Sequence, residues 1–557
     1  MLLYLPVWSA STRVIAGYGR DPQMFVWYMA WTPFALSHGQ NPLLTSFVGY
    51  PHVANLMWNT SILLPAFILW PVTAALGPLE SHNLLMMLAL VVDALCAFLA
   101  LRRFGSNIAA WIGGLLYGFS PALVAQDTVH AQIAIAAFPP LALLLTLGMA
   151  RVRTYRGRTA AGAVLGIAAA AQLLTGTEML AITAIGVLAG VVALRLMPVP
   201  DLRRQAMRLG WGLAAASAVF VALSTVPLAV LLFGPGKLMG PIQPHNVYVQ
   251  DLAGLVIPGP YQRLNDASLV HIYRQFTGNA VESSGYLGLP LLLLVGVFAA
   301  IGWRRPAVRW ASITGLILLV LALGPWLHVA GQSIWVPLPW LAIQELPLLE
   351  SVLPGRLMVL VYFCLALVIV SGIDAILRHP SLPTRFAGIF ALVLVAVTLL
   401  PVPMTAMRAS VPSFFLSHRV RIVPPGSVAL VLPLQPDSVV MVWQAEAGLR
   451  FRTLTGRVLL PSSNGRGTVH CSATNSCRGT RAPSNVLFTD LMDAVDRAPP
   501  ARPGMLDLLR RDIRRDRVTT VIAGPPATRA SRLIDLLTHV MGRPPVPTGG
   551  VLIWARH

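Results

Sequence analysis

Asp21, in Gly-Arg-Asp-Pro-Gln, is an acid set between apolar sequence and an aromatic stretch that holds Phe25, Trp27, Tyr28, Trp31 and Phe34. A carboxylate at the edge of an apolar phase can take the proton of a hydroxyl that attacks a membrane-borne substrate. The same acid before Pro22 is also a good helix start, as an N-cap. A second acid is available from Asp127 in Gln126-Asp-Thr-Val-His130 or from Glu178 in Thr175-Gly-Thr-Glu-Met179. Asp127 and His130, three apart, share a face if the turn is helical, which suits acceptor binding or a shared proton. The alternatives are solvated residues at a helix end and, for Glu178, the opening of the next helix. For a phosphate the candidates are Arg356, in Leu353-Pro-Gly-Arg-Leu-Met, and Arg263 and Arg274 in a long loop with Lys237, His245 and His271. A guanidinium offers phosphate two charge-assisted hydrogen bonds. At a membrane surface the same side chain also snorkels to headgroups.

The elements that must position these residues are membrane helices. The chain has 557 residues, 56% of them hydrophobic and only 11% charged, with a mean hydropathy of +0.69. This is the composition of a polytopic α-helical membrane protein. The net charge of +20 does not point to nucleic acid, because the arginines fall in short clusters between apolar runs instead of sharing a face. Apolar runs long enough to cross lie near 84–101, 109–126, 132–150, 159–175, 178–196, 209–233, 287–302, 309–326, 357–377 and 386–403. With a partial one at the start, that is about 10–11 transmembrane helices.

Basic clusters recur at every second connection: Arg102-Arg103, Arg151 to Arg158, Arg195 to Arg208, Arg304 to Arg309 and Arg378 to Arg385. By the positive-inside rule these connections are cytoplasmic. The alternate ones then face outward, including a first loop at 9–83 and a long loop at 234–286. Asp21, Asp127, Glu178 and Arg356 fall on that outward side. The aromatic stretch, with Trp27, Tyr28 and Trp31, reads as a helix lying in the headgroup layer. Residues 62–76, interrupted by Pro65 and Pro71, read as interfacial or re-entrant, and Met1 to Trp8 as the outer end of a first span whose remainder would lie upstream.

The transmembrane domain is expected at 1–403 and a small outward α/β domain at 404–557. Strand-like Val428-Ala-Leu-Val-Leu-Pro, Val518-Thr-Thr-Val-Ile-Ala and Val551-Leu-Ile-Trp alternate there with amphipathic stretches near 503–515 and 528–541. Cys471 and Cys477, six apart on the outward side, are a disulfide candidate. With His470 they give too few ligands, at poor spacing, for a metal site. No P-loop, dinucleotide fingerprint or zincin motif is present. Asp93, in mid-span, must face the bundle or stay protonated. It is the residue that a transporter or flippase of lipid-linked saccharides would use to couple protons. A scaffold whose outward domain binds an envelope polymer is a third, non-catalytic reading.

The order of Gly-x-Asp-Pro, aromatic helices, Pro51-His-Val-Ala-Asn-Leu-Met-Trp-Asn-Thr-Ser61, many spans and an outward C-terminal domain resembles the GT-C class of integral-membrane glycosyltransferases. It is most similar to a bacterial branch with Gly-x-Asp-Pro near the start and Asn-Leu-x-Trp-Asn-Thr-Ser some thirty-five residues later. The resemblance covers roughly residues 17–403. It implies transfer of a sugar from a polyprenyl-phosphate donor to a glycan, lipid or protein acceptor outside the bacterial plasma membrane. Asp21 matches the class's catalytic base, and Asn55, Trp58 and Asn59, in the second motif, are expected at the membrane interface with Trp27, Tyr28 and Trp31. Many members place a second acid beside the first, whereas Arg20 and Pro22 stand here. The motif therefore gives no support for a bound divalent metal.

Overall fold

The computed structural model describes residues 2–10, 14–198, 202–434, 437–469, 505–525, 527–529 and 531–555. The disulfide candidate, Cys471 with Cys477, lies outside them. Among the described residues, six helices are long and apolar enough to cross a membrane: Pro78–Leu101, Ala131–Arg151, Tyr155–Thr175, Thr177–Arg195, Met207–Phe233 and Pro354–Leu377. A seventh candidate is the pair Asn107–Gly118 and Pro121–Asp127, bent by 47°. The shorter apolar helices Gly288–Gly302, Pro306–Ala322 and Leu382–Thr398 match the remaining expected spans. Residues 62–76 form two helices, Leu63–Ile68 and Trp70–Leu76, each too short to cross.

The chain divides into two compact units. The first holds Met1–Pro6, Met86–Thr225 and Pro241–Thr405. At its centre is the helix Met358–Leu377, with 17 of its 20 residues buried. A helix that is apolar on every side has to be covered on every side, and helices Asn107–Gly118, Gly288–Gly302 and Pro306–Ala322 pack around it. Small residues set the approach: a Cβ on Gly113 would lie 2.5 Å from Val370, as expected where helices associate through close backbone contact. Asp93 is fully buried, and both its carboxylate oxygens accept from the Ala136 amide, at 3.0 and 3.1 Å.

The second unit holds Val7–Leu85, Val226–Gly240 and Ala406–His557. Its sheet has strands β1 (Val428–Leu432), β2 (Arg452–Thr453), β3 (Val518–Ala523), β4 (Val546–Thr548) and β5 (Val551–Ala555), in the order β4-β5-β3-β1-β2. The pairs β3/β1 and β1/β2 are parallel, and β3/β5 and β4/β5 antiparallel. Every residue of β1 is buried, as expected of a strand covered on both faces. Val428, Leu430 and Leu432 pack with Leu509, Ile513, Leu533 and Leu537 of helices Met505–Arg515 and Ser531–Met541. Ala429 and Val431 pack oppositely, with Phe415, Trp443 and Phe451.

The sheet does not stand apart at residue 404. Strand Val14–Ala16 pairs antiparallel with Ala406–Arg408, and helix Asp21–Ser37 packs on Asp437–Glu446, with Trp27 Nε1 donating to Gln444 Oε1 at 2.6 Å. The expectation of a headgroup-layer helix is corrected accordingly: Trp27, Tyr28 and Trp31 are each no more than 1% exposed. The reason is angular, since Phe25, Trp27, Tyr28 and Trp31 cover one half of the helix and Val26, Met29 and Ala30 the other, which leaves it no polar face.

Glu446 ends the Asp437–Glu446 helix beside Glu80, and burial followed by that neighbouring carboxylate pushes its carboxyl up to about 7. The unfolded group ionises from its ordinary 4.5, so this site loses stability as pH rises through that window and gains it back on acidification. We expect Glu446→Gln to raise the Tm at about pH 8 and to leave it nearly unchanged at about pH 5. Equal shifts at both pH values, read by thermal unfolding of the detergent-solubilised protein, would refute the assignment.

Candidate active site

Gly17 and Gly19 both have positive φ, 97° and 86°, a conformation that glycine reaches without Cβ strain. This turn delivers Asp21 as the first residue of Asp21–Ser37, with Arg20 as an N-cap that makes no side-chain cap and proline in the first turn. A carboxylate is favoured there by the helix dipole. It does not serve as the cap: Arg457 Nε donates to Asp21 Oδ1 at 2.6 Å. The pair is partly open, with Asp21 19% and Arg457 29% exposed. Nearby, the Tyr28 hydroxyl donates to Asn59 O at 2.8 Å. Burial first, then Asp21, push its pKa up, so it remains a donor.

The second motif explains why Arg457 arrives at this place. Asn59 Oδ1 accepts from the Leu459 amide, and its Nδ2 donates to Leu459 O at 3.1 Å and Asn55 O at 2.8 Å. One primary amide thus holds both polar groups of Leu459, two residues beyond Arg457. Asn55 Nδ2 donates to Val230 O at 2.7 Å and Trp58 Nε1 to Leu231 O at 2.8 Å, which tie the same turn to the 226–240 segment. Asn55 and Asn59 are buried and Trp58 half-buried, so the motif braces the site from inside.

Residues from the other loops expected to face outward meet in the first unit, in a pairing different from the expected one. Helix Pro121–Asp127 ends at Asp127, and His130 precedes a new turn, so the helical rule that would have joined them does not apply. Asp127 is buried and accepts from the Tyr4 hydroxyl. His130 Nδ1 lies 2.8 Å from Gln126 Oε1 and 3.4 Å from Glu282 Oε1. Arg356 is 7% exposed and grips Glu282 with Nε, at 2.9 Å, and with Nη2, while Nη1 holds Glu178. Glu178 also accepts from the Leu353 amide at 3.2 Å, and Gln126 Nε2 donates to Glu282 at 3.0 Å.

The Arg356 fork, expected to receive phosphate, is therefore answered by two carboxylates. Burial alone would raise the Glu282 carboxyl, but Arg356 holds it below the usual range. Glu282 escaped the sequence reading. The signal available was that a buried arginine requires acids on the segments that face it. Arg263 and Arg274 are exposed on the long loop, and Arg263 Nε donates to Pro401 O at 3.3 Å. Among the described residues, no group of three or more His, Cys, Asp and Glu is arranged to hold a metal ion.

Over residues 9–400 the sequence matches a family described as a domain of unknown function, DUF6311. The chain belongs to the DUF6311 family. No curated protein matches it. Solved structures of GT-C glycosyltransferases share its fold. The mycobacterial arabinofuranosyltransferase AftD aligns with a TM-score of 0.56 at 15% identity, over 98% of this chain and 40% of that one. The DUF6311 chain thus spans about two fifths of AftD's length. ArnT of Cupriavidus metallidurans aligns at 0.46 and 12% identity, over 99% and 96% of the two chains. The Archaeoglobus fulgidus oligosaccharyltransferase aligns at 0.45 and 11%, over 92% and 66%.

Two outcomes test the geometry. Replacing Glu282 by Gln leaves a buried guanidinium short of one carboxylate, and should cost about 3–5 kcal/mol of stability. A Tm within experimental error of wild type would contradict the pairing. Asn59→Ala should speed amide hydrogen exchange at 457–460, by a loss of about 1–3 kcal/mol of local protection, while exchange in Met358–Leu377 stays unchanged. Unaltered exchange at 457–460 would remove Asn59 as the brace.

Proposed function

We propose that this DUF6311 protein is a membrane glycosyltransferase that moves a sugar from a polyprenyl-phosphate donor to a cell-envelope acceptor outside the bacterial plasma membrane, with Asp21 as general base. The observation that carries the reading is the partly exposed Asp21 carboxylate at a helix N-terminus, fixed by Arg457 at 2.6 Å. The GT-C-like fold and the order of the two sequence motifs support it.

In the proposed reaction the acceptor hydroxyl gives its proton to Asp21 Oδ2 while its oxygen forms a bond to the anomeric carbon. The bond from that carbon to the carrier phosphate breaks, and its electron pair leaves on the phosphate. A single displacement inverts the anomeric centre. Arg457 spends Nε on the base, and its terminal nitrogens extend the same cation toward the developing phosphate charge, the kind of fixed donor that lowers such a barrier. No step is routed through a metal: the group beside Asp21 is a guanidinium, and the sequence neighbours are Arg20 and Pro22. The exposed Arg263 and Arg274 are the further candidates for contact with the carrier phosphate, since Arg356 is already paired. The proton-coupled transporter reading is weakened because Asp93 has both oxygens on the Ala136 amide.

Membranes supplied with labelled polyprenyl-phosphate sugars and envelope acceptors provide the assay. Asp21→Asn should insert normally and lose about 10²–10⁴ in transfer rate, and Arg457→Gln about 10². Asp93→Asn should retain transfer. Wild-type turnover by the Asp21 variant would remove it as the base, and loss of lipid-linked saccharide movement in Asp93→Asn alone would favour the transporter.

A further inference from the structure

Within the second unit, the loop after helix Asp21–Ser37, the segment 415–426 before β1, and residues 446–452 ahead of β2 enclose a cleft of about 690 Å³. That volume falls in the range of small-ligand sites. Its walls carry Arg421, Arg450 and Arg452. Among the described residues none of the three has a carboxylate within ion-pairing distance, and the only carboxylate in the wall is Glu446. Two of the arginines are held rigidly. Arg450 Nε donates to Val423 O at 2.7 Å and its Nη2 to Arg421 O at 3.2 Å. The Arg452 guanidinium lies 5.4 Å from the Phe47 ring centroid and 5.8 Å from that of Tyr50, and its buried Nε has no hydrogen-bond partner.

A buried guanidinium nitrogen without an acceptor is costly, so Arg452 is a cation that the protein leaves incompletely answered, and an anion in the cleft would offset its charge. Beside the cations stands an aromatic wall. Phe34 stacks on His38 with centroids 4.2 Å apart and meets Phe47 edge-on at 5.1 Å. Phe47 is buried beneath the Arg452 guanidinium, so the half-buried Phe34 and exposed His38 give the accessible ring pair. An apolar ring surface next to arginine forks suits a pyranose ring bearing a carboxylate or phosphate: the sugar's C–H face covers the rings, and the anion takes two charge-assisted hydrogen bonds. A concave wall of this mixed character fits a short oligosaccharide better than a bilayer surface, which a convex apolar face would meet.

We propose that this cleft is a binding site for an anionic saccharide, held by Arg421, Arg450 and Arg452 against the Phe34–His38 pair. The site is distinct from the Asp21–Arg457 pair, and its occupancy does not depend on Asp21 being the base. The test uses the full-length protein in detergent with tetragalacturonate, neutral maltotetraose and anionic phospholipid vesicles as probes, read by calorimetry at low and high salt. Tetragalacturonate should bind at least about tenfold more tightly than maltotetraose, and high salt should weaken it. Arg452→Gln and the exposed-site variant Arg421→Gln should each lose most of that preference while keeping the wild-type Tm. Equal affinity for the two oligosaccharides, no binding of either, unchanged binding by a folded Arg421→Gln protein, or binding of vesicles alone would each overturn the proposal. Retained binding in Asp21→Asn would separate this site from the transfer reaction.

Discussion

A charge inside an apolar bundle has to be answered within it, because neither lipid nor a packed core offers water to do so. That constraint organises the first unit. Arg356 draws Glu178 and Glu282 to one point, which fixes the loop at 279–283 against the N-terminal start of the central helix. Asp93 is met by a backbone amide and Asp127 by a tyrosine hydroxyl. Each pairing joins segments far apart in sequence, so the few polar residues of a chain that is 11% charged specify how its helices meet.

The second unit solves a different problem with a neutral group. The Asn59 amide supplies both a donor and an acceptor to Leu459 and so behaves like one rung of a sheet placed where no strand could run. Its effect is electrostatic at one remove, because it sets the Arg457 backbone where the side chain can meet Asp21. A rigid brace of this kind suits a site that must hold its geometry before any ligand arrives.

Much of this was legible in the sequence. The ten apolar runs, the fully buried β1, and the amphipathic helices of the C-terminal sheet follow from periodicity and length, which local sequence records directly. Asp21 stood out because it is an acid set between apolar sequence and an aromatic stretch, with a proline after it that suits a helix start. What local sequence did not record was partnership. Arg457 and Glu282 look like ordinary loop residues until folding brings Asp21 and Arg356 beside them. The aromatic helix misled for a related reason: Trp and Tyr enrichment marks a headgroup layer and a protein core alike, and only the arrangement around the helix, all sides against one stripe, separates the two.

The separation of 436 positions between Asp21 and Arg457 also sets an order of events in time. Asp21 leaves the ribosome early, and Arg457 leaves only after every described helix long and apolar enough to cross a membrane has been made. At ordinary elongation rates that delay is on the order of a minute. Through that interval the helices exist while Asp21 has no Arg457 to orient it. The chain therefore acquires its spans first and its candidate chemistry last, so a nascent or interrupted polypeptide would carry the helices without the assembled pair.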